Sequence, residues 1–170
     1  MNAEIISVGT ELLLGQVVNL DTAIVAQELS GLGINLLYSA VVGDNVERLR
    51  HAVDTALSRS DLLIMTGGLG PTTDDLTKET TAACAGKRLV LHQESLARIQ
   101  NYFNEKHVSE NQEKQAWLPE GCHVFQNDNG TDPGCAFQAQ GACTVIMLPG
   151  PPSELTPMLK NYVVPYLKQG

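Results

Sequence analysis

The sequence has no stretch of about 18 apolar residues, so no segment reads as a membrane-crossing helix. Its start, Met1-Asn2-Ala3-Glu4, lacks a positively charged region, and the apolar run that follows breaks at Gly9-Thr10-Glu11, so a secretory signal is not expected. No Cys-x-x-Cys pair exists. Cys84, Cys122, Cys135 and Cys143 lie 38, 13 and 8 residues apart, which argues against a zinc site and for free thiols in a reducing cytoplasm. The four histidines show no ligand spacing. Basic residues are also scarce: 11 Lys and Arg face 19 Asp and Glu, a formal charge of −8. A duplex-binding module carries the opposite footprint, so direct nucleic-acid contact is not expected. Neither GxxxxGK[ST] nor GxGxxG occurs, which removes the standard phosphate-loop and dinucleotide fingerprints.

What remains is ordinary globular material. Hydrophobic residues make up 43% and charged residues 18% of the 170 positions. At about 150 residues per domain, a single domain spanning 1–170 is expected. Glu4 to Gly9, Ile34 to Val42 and Asp61 to Thr66 read as strands, the last apolar almost throughout, as a strand covered on both faces should be. Asp21 to Leu32, Asn45 to Ser58 and about Asp74 to Ala85 read as the intervening helices. His92 to Lys106 reads as a further helix, and Cys122 to Phe125, Ala136 to Ala139 and Cys143 to Leu148 as strands. The polar stretch from Lys106 to Gly121 has no clear period, and a last helix follows Pro149-Gly150-Pro151-Pro152. Alternating strands and helices imply an α/β fold with a mostly parallel sheet.

In such sheets ligands bind beyond the carboxyl ends of the strands. Gly9-Thr10-Glu11, Gly43-Asp44-Asn45, Gly67 to Asp75 and Pro149 to Pro152 should therefore share one rim. Three of these segments carry acids: Glu11, Asp44 and the pair Asp74-Asp75. Clustered carboxylates suit a hard divalent cation such as Mg²⁺. Gly67-Gly68-Leu69-Gly70 suits an anion cradle at a helix start. A cation and an anion cradle on one rim suggest a phosphorylated or nucleotide ligand. Each piece has a plainer alternative. Asp74-Asp75 would also favour a helix start, with Thr72 and Asp75 at capping-box spacing. Glu11 suits a solvated position, Asp44 a turn, and Pro149 to Pro152 a stiff helix entry.

Five motifs carry a resemblance: Gly9-Thr10-Glu11-Leu12-Leu13-Leu14-Gly15-Gln16, Val42-Gly43-Asp44-Asn45, Thr66 to Thr72 with Asp74-Asp75-Leu76-Thr77, Glu113-Lys114-Gln115-Ala116, and Leu148 to Glu154. Together they resemble the amino-terminal domain of the CinA (competence/damage-inducible) family, over essentially the whole chain. The resemblance implies a three-layer α/β/α sandwich of the molybdopterin-binding MoaB/MogA-like type. It also implies a divalent-metal-dependent ADP-ribose pyrophosphatase, a hydrolase giving AMP and ribose 5-phosphate. Asp44, Asp75 and Asp74 would be its catalytic acids, and Asp44, Asp75 and Glu11 its Mg²⁺ ligands. Gly67, Gly68, Gly70, Thr72, Thr10, Lys114, Gly150 and Pro151 would bind a small-molecule nucleotide. The second expectation is a non-hydrolytic molybdopterin- or nucleotide-binding or adenylyl-transfer module. The third is an adaptor for a competence or DNA-damage protein partner. A homo-oligomer is expected by analogy with the fold, and the nicotinamide-nucleotide deamidase domain of longer relatives is not carried over. Two departures stand out. Family members commonly read Asn-Thr-Asn where this chain has Asn19-Leu20-Asp21, and Gly-Thr-Ala-Pro-Gly where it has Gly130-Thr131-Asp132-Pro133-Gly134. Both add an acid near loops that face the expected ligand.

Overall fold

The computed structural model describes residues 1–169. In chain order the elements are β1 (Asn2–Val8), α1 (Thr10–Leu13), α2 (Leu20–Gly31), β2 (Asn35–Val42), α3 (Val46–Arg59), β3 (Leu62–Thr66) and α4 (Thr77–Cys84). They continue with β4 (Leu89–Leu91), α5 (Gln93–Phe103), α6 (Glu110–Lys114), β5 (Trp117–Pro119), β6 (His123–Phe125), β7 (Gly134–Gln138) and β8 (Thr144–Leu148). The chain closes with α7 (Pro152–Met158), a π-helical turn over Leu159–Val163 and α8 (Val164–Lys168). No helix among the described residues is long and apolar enough to cross a membrane.

The main sheet has the order β2-β1-β3-β8-β7-β6. β2, β1, β3 and β8 run parallel, while β7 and β6 pair antiparallel. Alternation along each central strand divides the core into two layers. Ile6, Val8, Leu63, Met65, Val145 and Met147 face one side, where Leu49, Val53 and Ala56 of α3 cover them. Ala3, Ile5, Leu62, Ile64, Ile146 and Leu148 face the other, under Val25 and Leu29 of α2 and Leu155 and Met158 of α7. All five residues of β3 are buried, which is why its sequence shows no polar alternation. The α/β sandwich with a mostly parallel sheet is thus the observed fold.

β2 is an edge strand, and most of its length is exposed. Glu4 on β1 is buried at 4% exposure, yet its carboxylate accepts Arg59 Nη2–H at 2.7 Å and Nε–H at 3.0 Å, with Ser60 Oγ as a further donor. Burial pushes this carboxyl up, and the Arg59 and Ser60 donors outweigh it, holding the group below its ordinary value. Arg59 in turn stacks 3.6 Å over the Tyr38 ring, tying α3 to the edge strand.

Three sequence expectations shift. Helix α4 begins at Thr77 and not near Asp74. The polar stretch 106–121 holds α6 and strand β5, which pairs antiparallel with β4 in a separate two-stranded sheet. Ser109 and Gln112 close a full capping box on α6, a signal legible in the Ser-x-x-Gln spacing. The last helix is interrupted by the π-helical turn that follows Pro157.

Candidate functional site

A cleft of about 530 Å³ opens at the carboxyl ends of β1 and β3, which end at Val8 and Thr66, beside the loop after β8. Its floor is glycine. Gly67 sits at φ +86°, and a Cβ there would lie 2.5 Å from the Val8 carbonyl oxygen. A Cβ on Gly150 would lie 3.2 Å from Gly67 Cα. Only glycine lets these two strand-end loops approach so closely. Asn19 caps α2 at the same rim, accepting Thr22 N–H at 3.4 Å, while its amide donates to Ser7 Oγ at 3.2 Å on β1.

Of the expected site residues, Glu11, Gly67, Gly68, Gly70, Asp75, Gly150 and Pro151 line this cleft. Thr10, Asp44, Thr72, Asp74 and Lys114 are not in its wall. Asp44 is exposed and latched to Thr10: Asp44 N–H donates to Thr10 Oγ1 at 3.0 Å, and Thr10 N–H donates to Asp44 Oδ2 at 3.4 Å. Asp74 is exposed. Asp75 Oδ2 accepts Thr72 N–H at 2.9 Å and Thr72 Oγ1–H at 2.7 Å, so the Thr72–Asp75 spacing builds a turn two residues ahead of α4 and caps no helix. Lys114, expected to hold a phosphate, instead donates to the Thr72 carbonyl at 2.9 Å and the Asp75 carbonyl at 2.6 Å. It braces the glycine loop from behind, 3.5 Å from Glu79. The acidic trio Glu11, Asp44 and Asp75 is therefore not assembled, because Asp44 is spent on the Thr10 latch. Among the described residues no three His, Cys, Asp or Glu side chains gather to hold a metal ion. Glu11 and Asp75 are the two expected metal ligands that reach the cleft.

Two further acids line it, Asp21 in the first turn of α2 and Asp132 in the loop between β6 and β7. Asp21 is 8% exposed, and burial pushes its carboxyl up to about 6. Asp132 also rises to about 6, through burial first and the Glu154 carboxylate second, with Lys78 pulling back. The Oδ1 atom of each is buried and has no hydrogen-bond partner. The signal for both was in the sequence, as the acids at the two departures from the family pattern; that they share one cleft was not. No Lys, Arg or His side chain lines the cleft. A neighbouring groove of about 350 Å³ lies at the β6 edge of the same rim, where Arg98 pairs with Asp128 at 3.3 Å.

Residues 4–169 match the model of a family described as probable molybdopterin binding domains. The chain belongs to that family. It is 53% identical, over 99% of its length, to a putative competence-damage inducible protein of Acetivibrio thermocellus. It is likewise 53% identical, over 99% of its length, to a CinA-like protein of Desulfovibrio desulfuricans. The chain spans only about 41% and 40% of these two curated relatives. Among solved structures, it resembles a CinA protein of unknown function from Thermoplasma acidophilum, with TM-score 0.88, 37% identity and 94% of each chain covered. The molybdopterin biosynthesis enzyme MoaB from Thermus thermophilus aligns with TM-score 0.67 at 18% identity, covering 99% of this chain and 92% of that one, a likeness of fold alone. The CinA assignment and the MoaB/MogA-like fold thus hold. The expectation of a hydrolase acting on ADP-ribose does not: the matched family is a binding domain, and these relatives are named for CinA and molybdopterin biosynthesis.

Proposed function

We propose that the chain is a non-hydrolytic binding module for a small phosphorylated pterin of the molybdopterin type. The observation that carries this reading is the glycine-floored cleft at the carboxyl ends of the central parallel strands, in a chain whose family is one of probable molybdopterin binding domains. Its volume falls in the range of roughly 300–1,000 Å³ common for small-molecule sites. In this reading Glu11 and Asp75, which line the cleft, would share a Mg²⁺ ion with a ligand phosphate, a common pattern for that cation. The Gly67 to Gly70 backbone would lie along the ligand without side-chain obstruction.

The test is a titration of the purified chain with molybdopterin under anaerobic conditions, followed by intrinsic pterin fluorescence. Saturable one-site binding is expected, with the ligand recovered chemically unchanged. No saturable binding, or recovery of a cleaved ligand, overturns the reading.

A further inference from the structure

We propose that Cys122 and Cys135 form an oxidisable dithiol, in which a hydroperoxide oxidises the Cys122 sulfur and Cys135 then closes a reversible disulfide with it. Cys135, on β7, is buried at 1% exposure. β6 and β7 pair antiparallel, with Val124 opposite Cys135. Side chains two apart along a strand share a face. Cys122, two residues ahead of Val124, therefore lies on the same face as Cys135 and diagonal to it. It is partly exposed and packs against the buried cluster that contains Cys135. It also ends a surface turn: its N–H donates to the Pro119 carbonyl at 3.2 Å, and the exposed Gly121 before it sits at φ +77°. An oxidant thus needs to reach only Cys122, and Cys135 needs to reach only the Cys122 sulfur. Diagonal Cα atoms in a sheet lie about 7–8 Å apart, at the outer edge of what a disulfide spans. Closure draws in the turn at Gly121, which has open space around it. A bridge closed at such a stretch is of the labile, readily reduced kind.

The surroundings single out Cys122 among the four thiols. Burial pushes Cys84 and Cys143 up to about 11, so both stay protonated at neutral pH. Cys122 moves the other way: donation from the Cys135 thiol lowers it against the effect of burial, and the Lys78 ammonium helps. The same contact, with burial, holds Cys135 well above its ordinary value. Lys78 reaches this spot from α4 and is 3% exposed. Its ammonium donates to the Lys114 carbonyl at 2.7 Å. A buried cation beside a thiol favours the thiolate, which is the form that oxidants attack. The site lies apart from the cleft, whose wall contains neither cysteine. In the first step the Cys122 thiolate attacks one oxygen of the hydroperoxide, the O–O bond breaks, and the departing alkoxide takes a proton from water. Cys122 is then a sulfenic acid. In the second step the Cys135 sulfur attacks the Cys122 sulfur, the S–S bond forms, and hydroxide leaves with the Cys135 proton as water. The two cysteines together give up two electrons, and the hydroperoxide is reduced to an alcohol and water.

The experiment treats the whole folded chain with a small excess of hydrogen peroxide at neutral pH, alkylates the remaining thiols in denaturant and maps the products by mass spectrometry. The wild-type chain is expected to lose two hydrogens through one bridge joining the Cys122 and Cys135 peptides, with Cys84 and Cys143 still alkylated. Excess dithiothreitol is expected to restore all four thiols. Without peroxide, Cys122 in the folded chain is expected to react with iodoacetamide about tenfold faster than Cys84. Cys135→Ser, checked for an intact fold by thermal melting, is expected to stop at a Cys122 sulfenic acid that dimedone traps. Cys122→Ser is expected to give neither bridge nor trapped acid. The wild-type map decides by itself if either variant fails to fold. Four intact thiols, a bridge that includes Cys84 or Cys143, over-oxidation of Cys122 without a bridge, or equal alkylation rates for Cys122 and Cys84 overturns the proposal.

Discussion

Asp21 shows how a single residue type acquires meaning from its surroundings. In the sequence it is an acid at a helix start, a position that the helix dipole favours. In the fold it is 8% exposed, with one oxygen unpartnered. Burial pushes its carboxyl from 3.8 up to about 6. The folded chain therefore holds this proton more tightly than the unfolded chain does. The stabilisation is fully present below the unfolded value of about 4 and is lost as pH rises through about 6. Asp21→Asn is thus expected to raise stability at neutral pH by about 1–2 kcal/mol. It should also flatten the stability profile between roughly pH 4 and 6, as read by urea unfolding at stepped pH. A profile identical to wild type shows that Asp21 has a partner in solution. Asp75 carries the opposite lesson. Its spacing from Thr72 suits a capping box, but its carboxylate closes a turn, and the helix starts beyond it.

The glycine-rich loop is an element whose rigidity comes from a distant one. Lys114, on α6, reaches back to two of its carbonyls, Thr72 and Asp75, across 42 and 39 positions of sequence. Those bonds replace the helical bonds that the loop residues lack. Lys114→Ala should cost about 1–2 kcal/mol. It should also speed amide hydrogen exchange in residues 67–76 while α5 exchanges at its wild-type rate. Equal exchange throughout would show that the loop holds its own shape. The strands β1 and β3 and the helices α2, α3 and α5 were legible to within one or two residues at most ends, because each carries a periodic apolar pattern. The pairing of β4 with β5 was not, since three-residue strands have too few positions to display a period. Lys114 was misjudged for a related reason: sequence spacing says nothing about which carbonyl a long flexible side chain will reach.

At the scale of the molecule, the 8 surplus acids are not spread evenly over a solvated surface. Glu11, Asp21, Asp75 and Asp132 line one cleft that has no basic side chain, so part of that charge belongs to the ligand site. The same rim borders an apolar stretch, with Leu13, Leu14, Val17, Val18 and Leu20 all at least half exposed. Such a patch on a small domain invites self-association, in line with the expected homo-oligomer. Light scattering is expected to return a mass above the 18.3 kDa of one chain. A mass that stays at the single-chain value across concentrations removes that expectation.

The amino-acid sequence by itself determined the layered α/β architecture, the burial of β3 and the rim on which the strand-end loops meet. Each of these follows from local periodicity and from glycine, which act over a few neighbouring residues. The tertiary structure alone decided which acids face the cleft. It sent Asp44 to Thr10 and Lys114 to the back of the loop, and it set Asp21 and Asp132, from opposite parts of the chain, in the wall of one cleft. Hydrogen-bond partners across long sequence separations are settled by packing geometry, and no spacing rule encodes it.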